Sequence, residues 1–163
     1  MKRTIYLAGG CFWGVEAYYK LIKGVIDTQV GYANGNIENP SYEQVKSHQS
    51  TASETVKIEY DDSVITLEDL LSHFLRFVDP YSIDKQGHDV GHQYRSGVYS
   101  LNGDDLSKTK TYFDSKLKPG YVIEVLPLEN FYDAEGYHQD YLDKNPCGYC
   151  HVDLSLVLPI EKI

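Results

Sequence analysis

The chain has 163 residues, a length that fits one domain able to bury a sizeable core. Hydrophobic residues make up 42 % and charged residues 24 %, a balance that sets aside disordered and collagen-like classes. Acidic side chains outnumber basic ones by 24 to 15 with no Lys/Arg cluster, so nucleic acid is not an expected partner, and no apolar run is long enough to span a membrane.

In chain order, Lys2 to Ala8 reads as a strand that ends at the pair Gly9-Gly10. Beyond it Val15, Tyr18, Tyr19 and Ile22 recur at helical spacing. Strands are expected at Val25 to Tyr32 and Glu54 to Tyr60, with a turn and short helix at Asn39-Pro40-Ser41-Tyr42-Glu43 between them. Leu67, Leu70, Leu71, Phe74, Leu75 and Val78 predict a helix over 67–78, capped by Thr66 with Asp69 and stopped by Pro80. A polar loop from Gln86 to Ser96 leads to a strand at Gly97 to Leu101. A weaker helix at Asp104 to Leu117, a strand at Tyr121 to Leu126 and a short polar helix at Glu135 to Leu142 follow. The last stretch, 145–163, is expected to run as an extended tail, strand-like over Val152 to Leu158. Interleaved elements with few strands and long loops fit a single-domain α+β fold, a two-layer sandwich, better than a doubly wound sheet.

Three cysteines in a chain with no convincing export signal point to reactive or metal-binding thiols in the cytoplasm rather than structural disulfides. Cys11 falls where a strand turns into a helix, and the helix dipole there favours a thiolate, so its proton is expected to leave near neutral pH. Phe12 and Trp13 beside it offer a wall for an apolar group, although a buried core cysteine is an equal alternative on these residues alone. Cys147-Gly148-Tyr149-Cys150-His151 admits four readings: a haem attachment site, a thioredoxin-like pair, a zinc site with His138, or a mobile thiol pair able to reach Cys11. His88-Asp89-Val90-Gly91-His92 has the spacing of a metalloprotease helix, but Gly87 and Gly91 favour a hydrogen-bonding loop presenting Asp89 and Tyr94.

Taken together, Gly10-Cys11-Phe12-Trp13-Gly14-Val15-Glu16, Gly31-Tyr32, Asn39-Pro40-Ser41-Tyr42, Asp79-Pro80, Gln93-Tyr94-Arg95-Ser96, His138-Gln139, Asn145-Pro146 and Gly148-Tyr149-Cys150 resemble the A-type peptide methionine sulfoxide reductases over nearly the whole chain. The resemblance implies a mixed sheet with a ferredoxin-like core, one reductase domain over 1–163, and a tail at 145–163 carrying recycling cysteines. It implies reduction of the S epimer of methionine sulfoxide, free or protein-bound. By the same resemblance, Cys11 is the nucleophile, Phe12 and Trp13 hold the methyl group, and Glu54 protonates the sulfoxide oxygen. Tyr42, Asp89 and Tyr94 hydrogen-bond that oxygen, and Cys150 is the resolving thiol. Cys147, where the family varies, is a candidate relay thiol. Thioredoxin, or dithiothreitol in vitro, is the expected reductant, with no metal and no bound cofactor, and a monomer is expected. Ahead of the acid, the family's usual Gly-His-Ala is replaced by Thr51-Ala52-Ser53. A sulfoxide sulfur becomes electrophilic only when its oxygen is protonated or strongly hydrogen-bonded, so Glu54 is expected to be buried and neutral near pH 7.

Overall fold

The computed structural model describes residues 1–163. Eight strands and five α-helices follow one another along the chain. In order they are β1 (Lys2–Ala8), α1 (Phe12–Lys20), β2 (Val25–Ala33), α2 (Tyr42–Lys46), β3 (Ser53–Asp61), α3 (Leu67–Phe77), β4 (Lys85–Gln86), β5 (Asp89–Val90), β6 (Gly97–Ser100), α4 (Gly103–Lys116), β7 (Glu124–Pro127), β8 (Phe131–Asp133) and α5 (Tyr141–Lys144). Six strands form one mixed sheet in the order β7-β6-β1-β3-β2-β8, with only the β6–β7 pair parallel. The hairpin β4-β5 stands apart from it.

Alternation along β1 decides what each face of the sheet buries. Ile5 and Leu7 point into a core shared with Val56, Ile58 and Val98, and with Val15, Tyr18 and Tyr19 of α1, Leu70, Leu71 and Phe74 of α3, and Phe113 of α4. Tyr6 and Ala8 face the other way, into a smaller cluster with Ala33 and Tyr99 against Leu128 and Phe131. At nine residues α1 is too short to persist alone, so burial of its aromatic stripe, about 2 kcal/mol per large side chain, holds it. Helix α3 has the expected capping box, in which Thr66 and Asp69 each satisfy a backbone N–H of the other.

Several expectations need correction. The helix expected over Glu135 to Leu142 is broken: a 3-10 turn at Gly136–His138 and a four-residue α5 flank Asp140, which is left-handed at φ 52°. The buried Glu16 carboxylate accepts the Asp140 N–H at 2.8 Å, and Gln139 donates to and accepts from the Val30 backbone, so tertiary partners take the bonds a helix needs. Val152 to Leu158 is not a strand but contains a 3-10 turn at Leu154–Leu156, capped by the Asp153 side chain. Strand β8 and the β4-β5 hairpin, three and two residues per strand, are too short to leave a periodic signal.

Candidate active site

The turn between β1 and α1 creates the site. Gly10 adopts φ +96°, and a methyl group there would meet His151 Nε2 at 2.8 Å and Gln86 Cβ at 2.9 Å, so both conformation and space demand glycine. Cys11 follows as the N-cap of α1, without a side-chain cap of its own. The cap comes from across the sheet. Phe12 N–H donates to Glu54 Oε1 at 3.3 Å, while Oε2 is buried with no partner.

Burial dominates the electrostatics of this pair. It pushes the Glu54 carboxyl up to about 8; the Phe12 N–H opposes that, and the Asp89 charge adds to it. Glu54 is therefore mostly a neutral acid at pH 7. Since Oε1 accepts the amide proton, the acid's own proton belongs on the free Oε2. The Cys11 thiol is also pushed up, first by burial, then by the charges of Glu54 and Asp89, against the lowering pull of the Trp13 and Gly14 N–H groups. This corrects the expected thiolate: the helix terminus acts in the expected direction, but desolvation of a thiol only 7 % exposed outweighs it. At rest the site holds a thiol beside a carboxylic acid.

Around them lies an aromatic box that the sequence left unassembled. Phe12 is buried in the core, its ring 5.7 Å from Tyr32 and 5.2 Å from His138. Trp13 stacks on Tyr141 at 3.7 Å and donates its indole N–H to His138 Nδ1 at 3.0 Å. His138 also meets Tyr42 and Tyr137, at 4.8 and 4.1 Å between rings, and burial keeps it neutral. Glu135 fixes the rim by accepting the Tyr32 hydroxyl and the Tyr42 N–H. His138 was visible beforehand only as a candidate zinc ligand and within the family motif, and Glu135 only as the start of a helix. Burial first, and then the nearness of Glu54 and Cys11 in their ionised forms, raises Tyr42 to about 12 and Tyr94 as well, so both keep their protons.

The C-terminal segment closes the site. Tyr149 donates its hydroxyl to Asp89 Oδ2 at 3.1 Å, and His151 Nε2 lies 3.0 Å from Gly9 O. Cys150 rests over α1: a methyl group at Gly14 would meet its Sγ at 3.2 Å. Cys147 is exposed, and all three cysteines are free thiols. No group of three His, Cys, Asp or Glu side chains is placed to hold a metal ion. The structure thus brings Cys11, Phe12, Trp13, Tyr42, Glu54, Asp89, Tyr94 and Cys150 to one neighbourhood and leaves Cys147 at its surface.

Residues 3–160 match the family described as peptide methionine sulfoxide reductase. The chain belongs to that family. A peptide methionine sulfoxide reductase MsrA from Clostridium acetobutylicum is 50 % identical over 160 residues, covering 96 % of this chain and 98 % of its own. The crystal structure of Mxr1 from Saccharomyces cerevisiae in reduced form has a TM-score of 0.82 at 39 % identity, covering 91 % of this chain and 88 % of that one. Mxr1 in complex with Trx2 has a TM-score of 0.56 at 28 % identity, over 86 % and 84 % of the two chains. As a sulfoxide reductase of this family, the chain carries out thiol-dependent reduction of methionine sulfoxide, and the neutral acid beside a thiol is chemistry that reaction needs.

Proposed function

We propose that this reductase acts on the S epimer of methionine sulfoxide, free or in proteins, with Cys11 as nucleophile and Glu54 as acid. The observation that carries this reading is the buried, unpartnered Oε2 of a carboxyl held near pKa 8 beside the Cys11 turn. Phe12 and Trp13 hold the substrate methyl group, and Tyr42, Tyr94 and Asp89 orient its oxygen. Glu54 passes its proton to the sulfoxide oxygen, Cys11 sulfur attacks the substrate sulfur, and the Cys11 proton returns to Glu54. The hydroxyl moves to Cys11, so sulfoxide plus thiol gives sulfide plus sulfenic acid with no proton gained or lost.

Cys150 then condenses with the sulfenic acid, releasing water and forming a Cys11–Cys150 disulfide. Exchange with Cys147 regenerates Cys11, and thioredoxin reduces the resulting Cys147–Cys150 bridge. Support for that partner is the solved complex of Mxr1 with Trx2 at 28 % identity. Recycling by thioredoxin suits a monomer working in the reducing cytoplasm, and no metal or bound cofactor takes part in these steps.

In the same reading, 1–163 is a single reductase domain and 145–163 its recycling tail. The core is ferredoxin-like, a reading supported by the run β1-α1-β2-β3-α3-β6, whose four strands are neighbours in the order β6-β1-β3-β2, all antiparallel.

The test is incubation with each epimer of a blocked methionine sulfoxide and excess dithiothreitol, quantifying sulfide. Reduction of the S epimer alone is expected. Reduction of the R epimer, or of neither, overturns the reading.

A further inference from the structure

His151 belongs to none of the steps above, yet it is one of the most constrained side chains in the C-terminal segment. Its ring lies along the first turn of α1. A methyl group at Gly10 would meet Nε2 at 2.8 Å, and one at Gly14 would meet Nδ1 at 3.1 Å, with Cys150 Sγ over the same spot at 3.2 Å. Nε2 lies 3.0 Å from Gly9 O, an acceptor only, so Nε2 carries the ring proton and Nδ1 a bare lone pair. Nδ1 is buried and has no hydrogen-bond partner, and the side chain is only 5 % exposed. A buried acceptor left unsatisfied costs about 1–3 kcal/mol unless something is to occupy it.

We infer that His151 Nδ1 is the general base for the resolving step, taking the proton of Cys150 as that thiol attacks the Cys11 sulfenic acid. The inference rests on the assignment of Cys150 as the resolving thiol. Cys150 needs such a base: burial pushes its thiol up, and its S–H is parked on Val152 O at 3.1 Å, an acceptor that cannot take a proton. The neighbouring acids are otherwise engaged. Glu54 Oε1 caps α1 and its Oε2 holds the proton returned from Cys11 in the first step, and Asp89 Oδ2 accepts the Tyr149 hydroxyl. Asp89 Oδ2 also lies 3.9 Å from Nδ1, where its charge stabilises the imidazolium as it forms. Burial holds His151 neutral beforehand, in the form able to accept.

The step balances. The Cys150 S–H bond breaks and its proton moves to Nδ1, Cys150 sulfur attacks Cys11 sulfur, and the S–O bond breaks. The leaving oxygen takes the proton back from Nδ1 as water. Cys11 sulfenic acid is reduced and the Cys150 thiol oxidised, with no further reactant.

The experiment is a single turnover of the full chain without reductant, carrying Cys147→Ser so that only one disulfide can form. Methionine release, disulfide formation and dimedone trapping of the Cys11 sulfenic acid are followed together. In His151→Gln, whose amide can still donate to Gly9 O, the ratio of disulfide formation to methionine release is expected to fall about 100-fold, with dimedone adduct accumulating. Added imidazole is expected to restore disulfide formation in His151→Gly. An unchanged ratio in His151→Gln, or a loss in His151→Gly that imidazole does not reverse, overturns the inference. Cys150→Ser tests the underlying assignment separately: in the chain that retains Cys147, an intramolecular disulfide formed at the parent rate would remove Cys150 from the resolving role, whatever His151 does.

Discussion

Cys11 follows a strand hydrogen-bonded on both edges and opens a helix packed into the core, whereas Cys150 lies in a stretch held almost entirely by side chains. No backbone hydrogen bond ties Tyr149, Cys150 or His151 to the rest of the chain. The fixings there are Tyr149 on Asp89, His151 on Gly9 O, and Val152 buried in the core. Beyond them the chain is anchored again by Val157, also buried, and by Glu161 under Arg76. The difference follows from the chemistry assigned to each thiol. Attack on a sulfoxide needs a fixed thiol and acid, while a thiol that must move to form a disulfide belongs on backbone that opens at low cost.

The largest expected effect breaks the fixed half. Gln at position 54 keeps an oxygen for the Phe12 N–H but loses the acid, so Glu54→Gln is expected to slow methionine release by about 10²–10⁴-fold. In the parent, that rate should fall as pH rises through about 8, where Glu54 ionises. The substitution should move stability oppositely to activity. The folded-state pKa is raised, so between about 4.3 and 8 the unfolded chain ionises Glu54 while the folded chain does not, and the parent loses stability as pH rises. Glutamine does not titrate. Thermal unfolding is therefore expected to show Glu54→Gln gaining on the parent across that window, by a few kcal/mol at its upper end. Parallel pH curves for the two proteins would mean that burial does not set this carboxyl's protonation.

The same contrast decides what the sequence made legible. Strand β1, helix α3 with its capping box, and the strand-to-helix turn at Cys11 are written in local spacing and capping residues, and all three stand as read. The protonation of Cys11 was not legible, because a helix terminus is local whereas burial is assembled from distant parts of the chain. The Glu54 bond to Phe12 spans 42 residues and nothing in the sequence pointed to it; the family resemblance gave only the role of Glu54 as an acid. In the C-terminal part, Val152, Leu154, Leu156 and Leu158 alternate like a strand, yet Val152 and Val157 are the buried residues and Leu158 is 51 % exposed. Glu135 to Leu142 shows helical character, but Glu16 takes the Asp140 amide. His151 was visible only as the last letter of a haem or zinc pattern; its meaning lies in a backbone carbonyl 142 residues away.

A smaller effect sharpens the contrast at the line where the two halves touch. Gly14 lies within α1, where alanine would favour the helix by about 1 kcal/mol. Its methyl group would nevertheless press on His151 Nδ1, Val152 Cγ2 and Cys150 Sγ, each within 3.2 Å. The looser side should yield. Gly14→Ala is expected to slow disulfide formation about tenfold, with methionine release much less affected, since displacing the segment costs on the order of 1.4 kcal/mol. Rapid-quench measurement of the two steps checks this. Equal slowing of both would show that α1 moves instead, and that the supposedly fixed half is the softer one.

The smallest effect concerns the anchor beyond Cys150. Arg76 makes two hydrogen bonds to the Glu161 carboxylate, at 2.7 and 2.8 Å, and a third to Leu156 O at 2.9 Å. Arg76 holds the Glu161 carboxyl down to about 2, so its contribution is present above the unfolded value near 4.3 and is lost as pH falls toward about 2. The pair is partly exposed, and Arg76→Ala is expected to cost about 1 kcal/mol near pH 7. If 145–163 opens separately from the core, that cost should appear locally. Amide exchange over 154–163 should quicken about fivefold near pH 7 while exchange in β1 and β3 keeps its parent rate, and the difference between the two proteins should narrow, without vanishing, as pH falls toward about 2, because the Arg76 bond to Leu156 O does not titrate. Faster exchange spread evenly through β1 and β3 would place the anchor in the same cooperative unit as Cys11, and Cys150 would then need another source of mobility.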